Sequence, residues 1–411
     1  MPPTSSGIER NSPDYWRASI ALFLAAFSVF ASVYSVQPIL PLLATEFDLD
    51  AATSSFAVSA TTGTLAVSLV VVSWLGNRFD RKSLMMATMV ATALIGLAIP
   101  MMQAWWPLVG LRALLGVAVC GVPAIAMVYL AEEMSTEALG FGMGLFIGGS
   151  AMGGMAGRLL VGFLADHFDW RIALFALSAV VVVNAILFFV LLPAPRRSAT
   201  GTLTVATFAA NVADLFKDKA LPLLFLAAFL LMGGFVAIYN YIGFRLLAPP
   251  YSLSQSQVSL IFIVYLVGTL GSAWMGALAG RLGRRRVFWP MVVVTLSGIV
   301  LTLVSAIWAV VFGIAVMTFG FFAAHSIASA WVARRAQTAR AQGSAIYLLA
   351  YYAGSSVIGT FGGYGWSHGG WPGVVAIAGG AILVTLAIAW QLYRIPPILA
   401  PDRPPQPPQG I

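Results

Sequence analysis

Trp74-Leu75-Gly76-Asn77-Arg78-Phe79-Asp80-Arg81-Lys82-Ser83-Leu84 packs four charges into five residues of a chain in which only 9% of residues are charged. An apolar run of about twenty residues lies on each side, enough to cross a bilayer as a helix. A charged knot between two such runs reads as a loop at a membrane face, kept there by the preference of Lys and Arg for one side. Runs of this kind recur through all 411 residues, 60% of which are apolar, and the mean hydropathy is +0.91. A soluble domain of that size needs far more charge to cover its surface. A transmembrane barrel would alternate polar and apolar residues in short segments. The fold class is therefore an all-α membrane protein.

Twelve spans are expected, at about 18–43, 54–75, 84–102, 107–131, 138–162, 171–193, 220–246, 257–279, 287–306, 308–332, 343–366 and 372–393. The first is too long for a signal-peptide core and is expected to be retained. The organisation that follows is a tail (1–17), a six-helix bundle (18–193), a linker (194–219), a second six-helix bundle (220–394) and a tail (395–411) with seven prolines, expected to be disordered. Within the linker, Val205–Phe216 can form an interfacial amphipathic helix. Eighteen of the 22 Lys and Arg fall on the side of the tails, so both termini are expected in the cytoplasm. The acidic Glu46, Asp48 and Asp50 lie on the other side.

The net charge of +8 comes from short loops between spans and does not point to nucleic acid. The single cysteine, Cys120, sits in an apolar run and can form no intrachain disulfide. There is no nucleotide-binding loop, no H-E-x-x-H and no cluster of metal ligands, and no soluble segment is long enough for a catalytic site. Neither an enzyme nor a cofactor or metal is expected.

The charged knot has a twin. Gly276-Ala277-Leu278-Ala279-Gly280-Arg281-Leu282-Gly283-Arg284-Arg285-Arg286 follows span eight as Gly76–Ser83 follows span two, at an offset of 200 that aligns Gly76 with Gly276 and Arg81 with Arg281. His167-Phe168-Asp169-Trp170 precedes His368-Gly369-Gly370-Trp371 by 201. Two echoes at matching positions indicate parallel repeats.

At these residues the sequence resembles the major facilitator superfamily over essentially its whole length. The family's loop motif is roughly G-x-L-x-D-R-x-G-R-R/K. The second copy matches it with Gly280 for the Asp. The first keeps Asp80 and Arg81, with Ser83 for the Gly and Leu84 and Met85 for the basic pair. Arg112-Ala113-Leu114-Leu115-Gly116 is similar to R-x-x-x-G, and Gly149-Ser150-Ala151-Met152-Gly153-Gly154 to G-P-x-x-G-G with Ser150 for Pro. Gln37-Pro38-Ile39-Leu40-Pro41 resembles a paired-proline pattern. These three point to the twelve-span drug/proton antiporter branch. The resemblance implies two pseudo-symmetric six-helix bundles, a monomer in a bacterial inner membrane, and secondary active transport of a small organic solute by alternating access, with a proton as partner ion. Proton-coupled efflux is expected. The alternative is a permease or facilitator for an organic acid or sugar-like solute, with Arg112 or Arg158 as anion clamp.

The loop motif marks Gly76, Asp80, Arg81, Gly276, Arg281, Gly283, Arg284 and Arg285 as gating residues. Asp80 and Arg81 can bind helix ends at the mouth of the bundle and latch it. By resemblance, spans one, four, seven and ten line a central cavity. Ser28, Ser32 and Ser35 share one face of span one, near Tyr34 and Gln37. Tyr239, Asn240, Tyr265, His325, Tyr347 and Tyr351 complete an aromatic, mostly uncharged candidate site. All acids lie in tails, loops or span ends, so His325 is the one mid-membrane titrating candidate for coupling. Glu132 and Glu133, which end span four, are further coupling candidates, and the resemblance ties Arg112 to proton relay. A buried arginine needs a partner; the candidates for Arg112 and Arg158 are Asp166, Asp169 or an anionic substrate. Gly149, Gly153, Gly154 and Gly157 read as close helix packing.

Overall fold

The computed structural model describes residues 7–75, 80–195, 204–337 and 339–396. Gly76 and nearly all of the proline-rich tail lie outside them. Ten of its helices are long and apolar enough to cross a membrane. One of these, Arg340–Arg394, holds 55 residues, about 80 Å at 1.5 Å per residue, more than twice a bilayer core. It is broken at Gly370 (φ 57°, ψ −145°) and supplies spans eleven and twelve. Arg284–Leu301 is the ninth span, which completes twelve.

The apolar runs become helices with three internal breaks that hydropathy alone does not mark. Span one ends at Tyr34 and restarts as Leu40–Glu46. Pro38 has no N–H to offer the Tyr34 carbonyl, which instead accepts from Gln37 N at 3.0 Å in a tighter turn. Span four is Trp105–Ala118 followed by Gly121–Glu133, the second piece carrying Pro123. Span eight begins as Gln255–Ser259 and passes through a 3₁₀ turn, Leu260–Val264, into Tyr265–Leu282. The remaining spans are Phe56–Leu75, Arg81–Ala98, Thr136–His167, Trp170–Leu191, Leu221–Leu247 and Ile307–Arg335.

In the first bundle span one packs on spans five and six, span two on four, and three on six; in the second, seven packs on eleven and twelve, nine on ten and twelve, and eight on ten. The bundles meet where span two crosses eleven and span five meets eight. The repeat extends to individual contacts. A Cβ on Gly153 of span five would lie 2.1 Å from the Phe27 carbonyl of span one, and a Cβ on Gly354 of span eleven 1.9 Å from the Phe229 carbonyl of span seven. Gly149 and Gly157 bring span five against Phe23 and Ala31, at 2.6 and 2.7 Å from such a Cβ. Small residues let backbones touch where no hydrophobic effect pulls helices together.

The linker helix forms over Val205–Leu215, capped by Thr204, and leaves most of its surface exposed. Behind it, Asp218 accepts from the Ala220 and Leu221 amides at 2.8 and 2.9 Å and pairs with Arg335 of span ten at 2.7 Å. Burial pushes the Asp218 carboxyl upward, but the hydrogen bonds from Arg335 and the two amides outweigh it, and the net shift is downward. A carboxyl depressed in the folded state contributes stability above its unfolded value, about 3.9, and loses it as pH falls through the folded value. Asp218→Asn is expected to be less stable than the wild type at pH 7 by about 1–2 kcal/mol. The gap should begin to narrow at about pH 4 and close once pH is below the folded value. Thermal unfolding of the solubilised protein checks this, and equal melting at pH 7 would show that the contact contributes nothing.

Candidate functional site

The break in span one turns its last residues toward the junction of the bundles. Arg158, one turn beyond Gly154 on span five, is 2% exposed. Its Nε donates to Gln37 Oε1 at 2.7 Å and its Nη1 to the Gly154 carbonyl at 2.5 Å. The guanidinium carbon lies 4.4 Å from the Tyr34 ring centroid, 4.8 Å from Tyr265 and 5.1 Å from Phe262. Gln37 in turn donates from Nε2 to Asn240 Oδ1 at 2.7 Å. An arginine can only donate, so it fixes which end of Gln37 faces it, and Gln37 fixes Asn240. The chain ends at Asn240 Nδ2, which is buried and has no hydrogen-bond partner among the described residues.

From this arginine an aromatic wall runs across the second bundle. Tyr265 meets Tyr239 at 5.3 Å between centroids, and Tyr239 meets Phe235 at 4.8 Å. Phe235 stacks on Phe321 at 3.8 Å, and Phe321 leads to His325 and Tyr351. His325 is half-buried, 4.6 Å from Tyr351. The Tyr347 hydroxyl lies 3.0 Å from its Nδ1 and 3.3 Å from its carbonyl. Tyr34, Gln37, Asn240, Tyr265, His325, Tyr347 and Tyr351 thus belong to one assembly; Tyr239 joins it through its ring, its hydroxyl being 2.8 Å from Thr318.

The serines of span one lie elsewhere. Ser28 accepts from Asn184 of span six at 3.0 Å, Ser32 donates to the Ser28 carbonyl, and Ser35 to that of Ser32. Ser32 and Ser35 lie beside Arg112 inside the first bundle, where the arginine is 1% exposed. It donates to the carbonyls of Ala57, Ser32 and Val33 at 2.6, 2.9 and 2.5 Å. Span one ends here, so its last carbonyls have no continuing helical turn to bond and carry the negative end of the helix dipole. Carbonyls take the place of the carboxylate expected from the sequence; Asp166 instead accepts from Gln255 N, and Asp169 caps span six. A cavity of about 20 Å³ beside Arg112, lined by Ser32, Ser35 and Ser178 among others, has room for one water.

The motif residues gather at the face that carries both termini. Asp80 caps span three, accepting from Ser83 N at 2.8 Å. Arg81, 7% exposed, pairs with Glu132 of the same bundle at 2.7 Å, and the Glu133 carbonyl accepts from Ile8 N. In the second half Gly283 does what Asp80 does in the first, by a different device: at φ 93° it turns the chain sharply into span nine without a side-chain cap. Arg285 donates to the Ile395 carbonyl after span twelve at 3.1 Å, while Arg281 is exposed, and Gly276 faces Ser326.

Hydrogen bonds between the bundles cluster in the half away from that face. Among the described residues they are Gln37 to Asn240, Gln255 to the Pro38 carbonyl and to Asp166, Ser55 and Ser59 with Thr360, and Ser356 with Thr62 and the Ser59 carbonyl. The pairs at the terminal face, Arg81 with Glu132, Lys82 with the Leu192 carbonyl, and Arg335 with Asp218, each join parts of one half. The molecule is latched on the side opposite its termini. Phe262 and Gln255 have no mark in the sequence that separates them from other span residues. Arg158 had one, its place one turn after Gly154 on the glycine-lined span.

A family model described as Major Facilitator Superfamily matches residues 22–248 and 224–410. The chain is 40% identical over 387 residues to the Inner membrane transport protein YnfM of Escherichia coli (strain K12), covering 94% of this chain and 93% of that one. It is 38% identical over 387 residues to the Uncharacterized MFS-type transporter YybF of Bacillus subtilis (strain 168), covering 94% and 96%. Among solved structures, a bacterial homologue of the human lysosomal transporter Spinster, inward-facing and unoccupied, superposes at TM-score 0.76 with 12% identity, covering 93% of this chain and 98% of that one. The nucleoside transporter NupG superposes at TM-score 0.73 with 16% identity, covering 93% and 100%. At these identities the two structures establish the fold.

Proposed function

Because the chain belongs to the major facilitator superfamily and is a secondary transporter, we propose that it exports a small organic solute across a bacterial inner membrane in exchange for protons. The observation that carries this reading is His325, a half-buried titratable side chain held by Tyr347 and Tyr351 in the aromatic wall that reaches Arg158. Charge on His325 changes the affinity of that wall for a solute, and by linkage the solute changes the affinity of His325 for a proton. The arginine-rich terminal face is read as cytoplasmic. The latched side is then external, and the described state opens inward. Rocking of the bundles would bring the two loop motifs, with Asp80, Arg81, Arg281, Arg284 and Arg285, together to close the cytoplasmic side. The resemblance of the span-four and span-five motifs to the antiporter branch supports the outward direction.

In everted vesicles energised by respiration, one solute of a panel is expected to collapse the proton gradient reported by a pH-sensitive dye. The response should fall to background in folded His325→Gln. Collapse that survives the substitution would remove His325 from coupling. A second reading, facilitated movement of an organic acid or sugar-like solute without protons, is favoured by the lack of a mid-span carboxylate. Labelled solute crossing while the gradient holds would select it.

A further inference from the structure

We propose that Arg158 is the recognition point for the solute, and that the solute is a small organic acid presenting one carboxylate on a flat apolar body. This rests on the reading that the junction of the bundles is the solute site. Arg158 is almost fully buried and pairs with no carboxylate among the described residues. Gln37 takes Nε and the Gly154 carbonyl takes Nη1, while Nη2 has no hydrogen-bond partner there. The rings of Tyr34, Tyr265 and Phe262 surround the guanidinium, leaving that donor edge for a ligand. The relay through Gln37 adds no acceptor, since it ends in the unpartnered Nδ2 of Asn240. The site therefore has positive charge and spare donors, and lacks a counter-charge of its own. A single buried guanidinium balances the one charge of a carboxylate, whereas a dianionic phosphate would leave charge uncompensated. The rings beside it suit a flat body.

Arg112 does not compete for this role. Its guanidinium is bonded to three backbone carbonyls within the first bundle. Arg158 donates to one carbonyl and one amide, and lies where span five meets span eight.

The test uses the full-length protein in lipid nanodiscs and a panel of aromatic and alicyclic monocarboxylates. Each is paired with its neutral amide and its amine. At least one carboxylate is expected to raise the melting temperature of the wild type while its amide and amine do not. Arg158→Gln should remove that shift. Arg158→Lys should weaken binding at least about tenfold, because an ammonium cannot reproduce the planar fork. Gln37→Glu would place a carboxylate against Nε and neutralise the site from within. It is expected to melt no lower than the wild type yet lose the response to acids, which a purely structural arginine would not produce. This variant keeps the test decisive even if Arg158→Gln fails to fold.

The proposal is overturned if no carboxylate of the panel binds, if an amide binds as tightly as its acid, or if acid binding survives Gln37→Glu. Tyr351→Ala separates the two levels of the reading. Binding of a neutral or amine probe that is lost in Tyr351→Ala, but kept in Gln37→Glu, would leave the site in place and remove the acid. Acid binding that survives both Tyr351→Ala and Gln37→Glu would remove the site itself.

Discussion

Arg112→Met is expected to lower the stability of the folded protein by about 3–5 kcal/mol. The substitution takes the arginine's donors from three buried carbonyls, those of Ala57, Ser32 and Val33, of which Ser32 keeps the Ser35 hydroxyl. Each unsatisfied buried acceptor costs about 1–3 kcal/mol. The full sum is not expected, because the small cavity beside Arg112 can admit a water that bonds one of them. Arg112→Lys should lie between the two, since one ammonium cannot span three carbonyls on two helices. Melting of the solubilised protein, followed by size-exclusion chromatography, reads the effect. Arg112→Met melting like the wild type would mean that the break in span one does not depend on the arginine.

Gly153→Val and Gly354→Val are expected to be comparably damaging, each for the same reason in its own half. The added Cβ would sit 2.1 Å from the Phe27 carbonyl in one case and 1.9 Å from the Phe229 carbonyl in the other. The obstacle is backbone, so no side-chain rotation relieves it, and the helices must part. Overpacking typically costs about 1–3 kcal/mol, and the upper end is expected where the obstacle is backbone. Gly148→Val is the control, because nothing lies within 4 Å of a Cβ there. The yield of monodisperse protein should collapse for the first two and hold for the third. Normal yield of either variant would show that spans one and five, or seven and eleven, are not in the contact described.

The fold was legible because the signals that specify it are local. Run length distinguishes a span from a loop, and Lys and Arg mark one side. A repeat shows as the same residues at a fixed offset, as in Gly76 with Gly276, and the structure carries that repeat into the packing of Gly153 and Gly354. The breaks in spans one, four and eight were not legible as breaks, because the hydropathy continues across them. Pro38 is visible in the sequence, but whether its missing N–H ends a helix or only bends it depends on what accepts and donates nearby.

Much the same holds for the site. Tyr34, Gln37, Asn240, Tyr265, His325, Tyr347 and Tyr351 could be picked out as polar or aromatic residues on spans. Ser28, Ser32 and Ser35, on one face of span one, looked the same but turn into the first bundle. Periodicity shows that residues share a face and leaves open which neighbour that face meets. The sequence by itself determined the class of the molecule, its twelve crossings and its twofold repeat, since each depends on composition along the chain. Only the tertiary structure decided how two buried arginines are held. Arg112 is held by carbonyls released where span one stops, and Arg158 by an amide and three rings from spans one and eight. A buried charge is satisfied by whatever polar atoms lie within about 3 Å, and those atoms come from helices far apart in sequence.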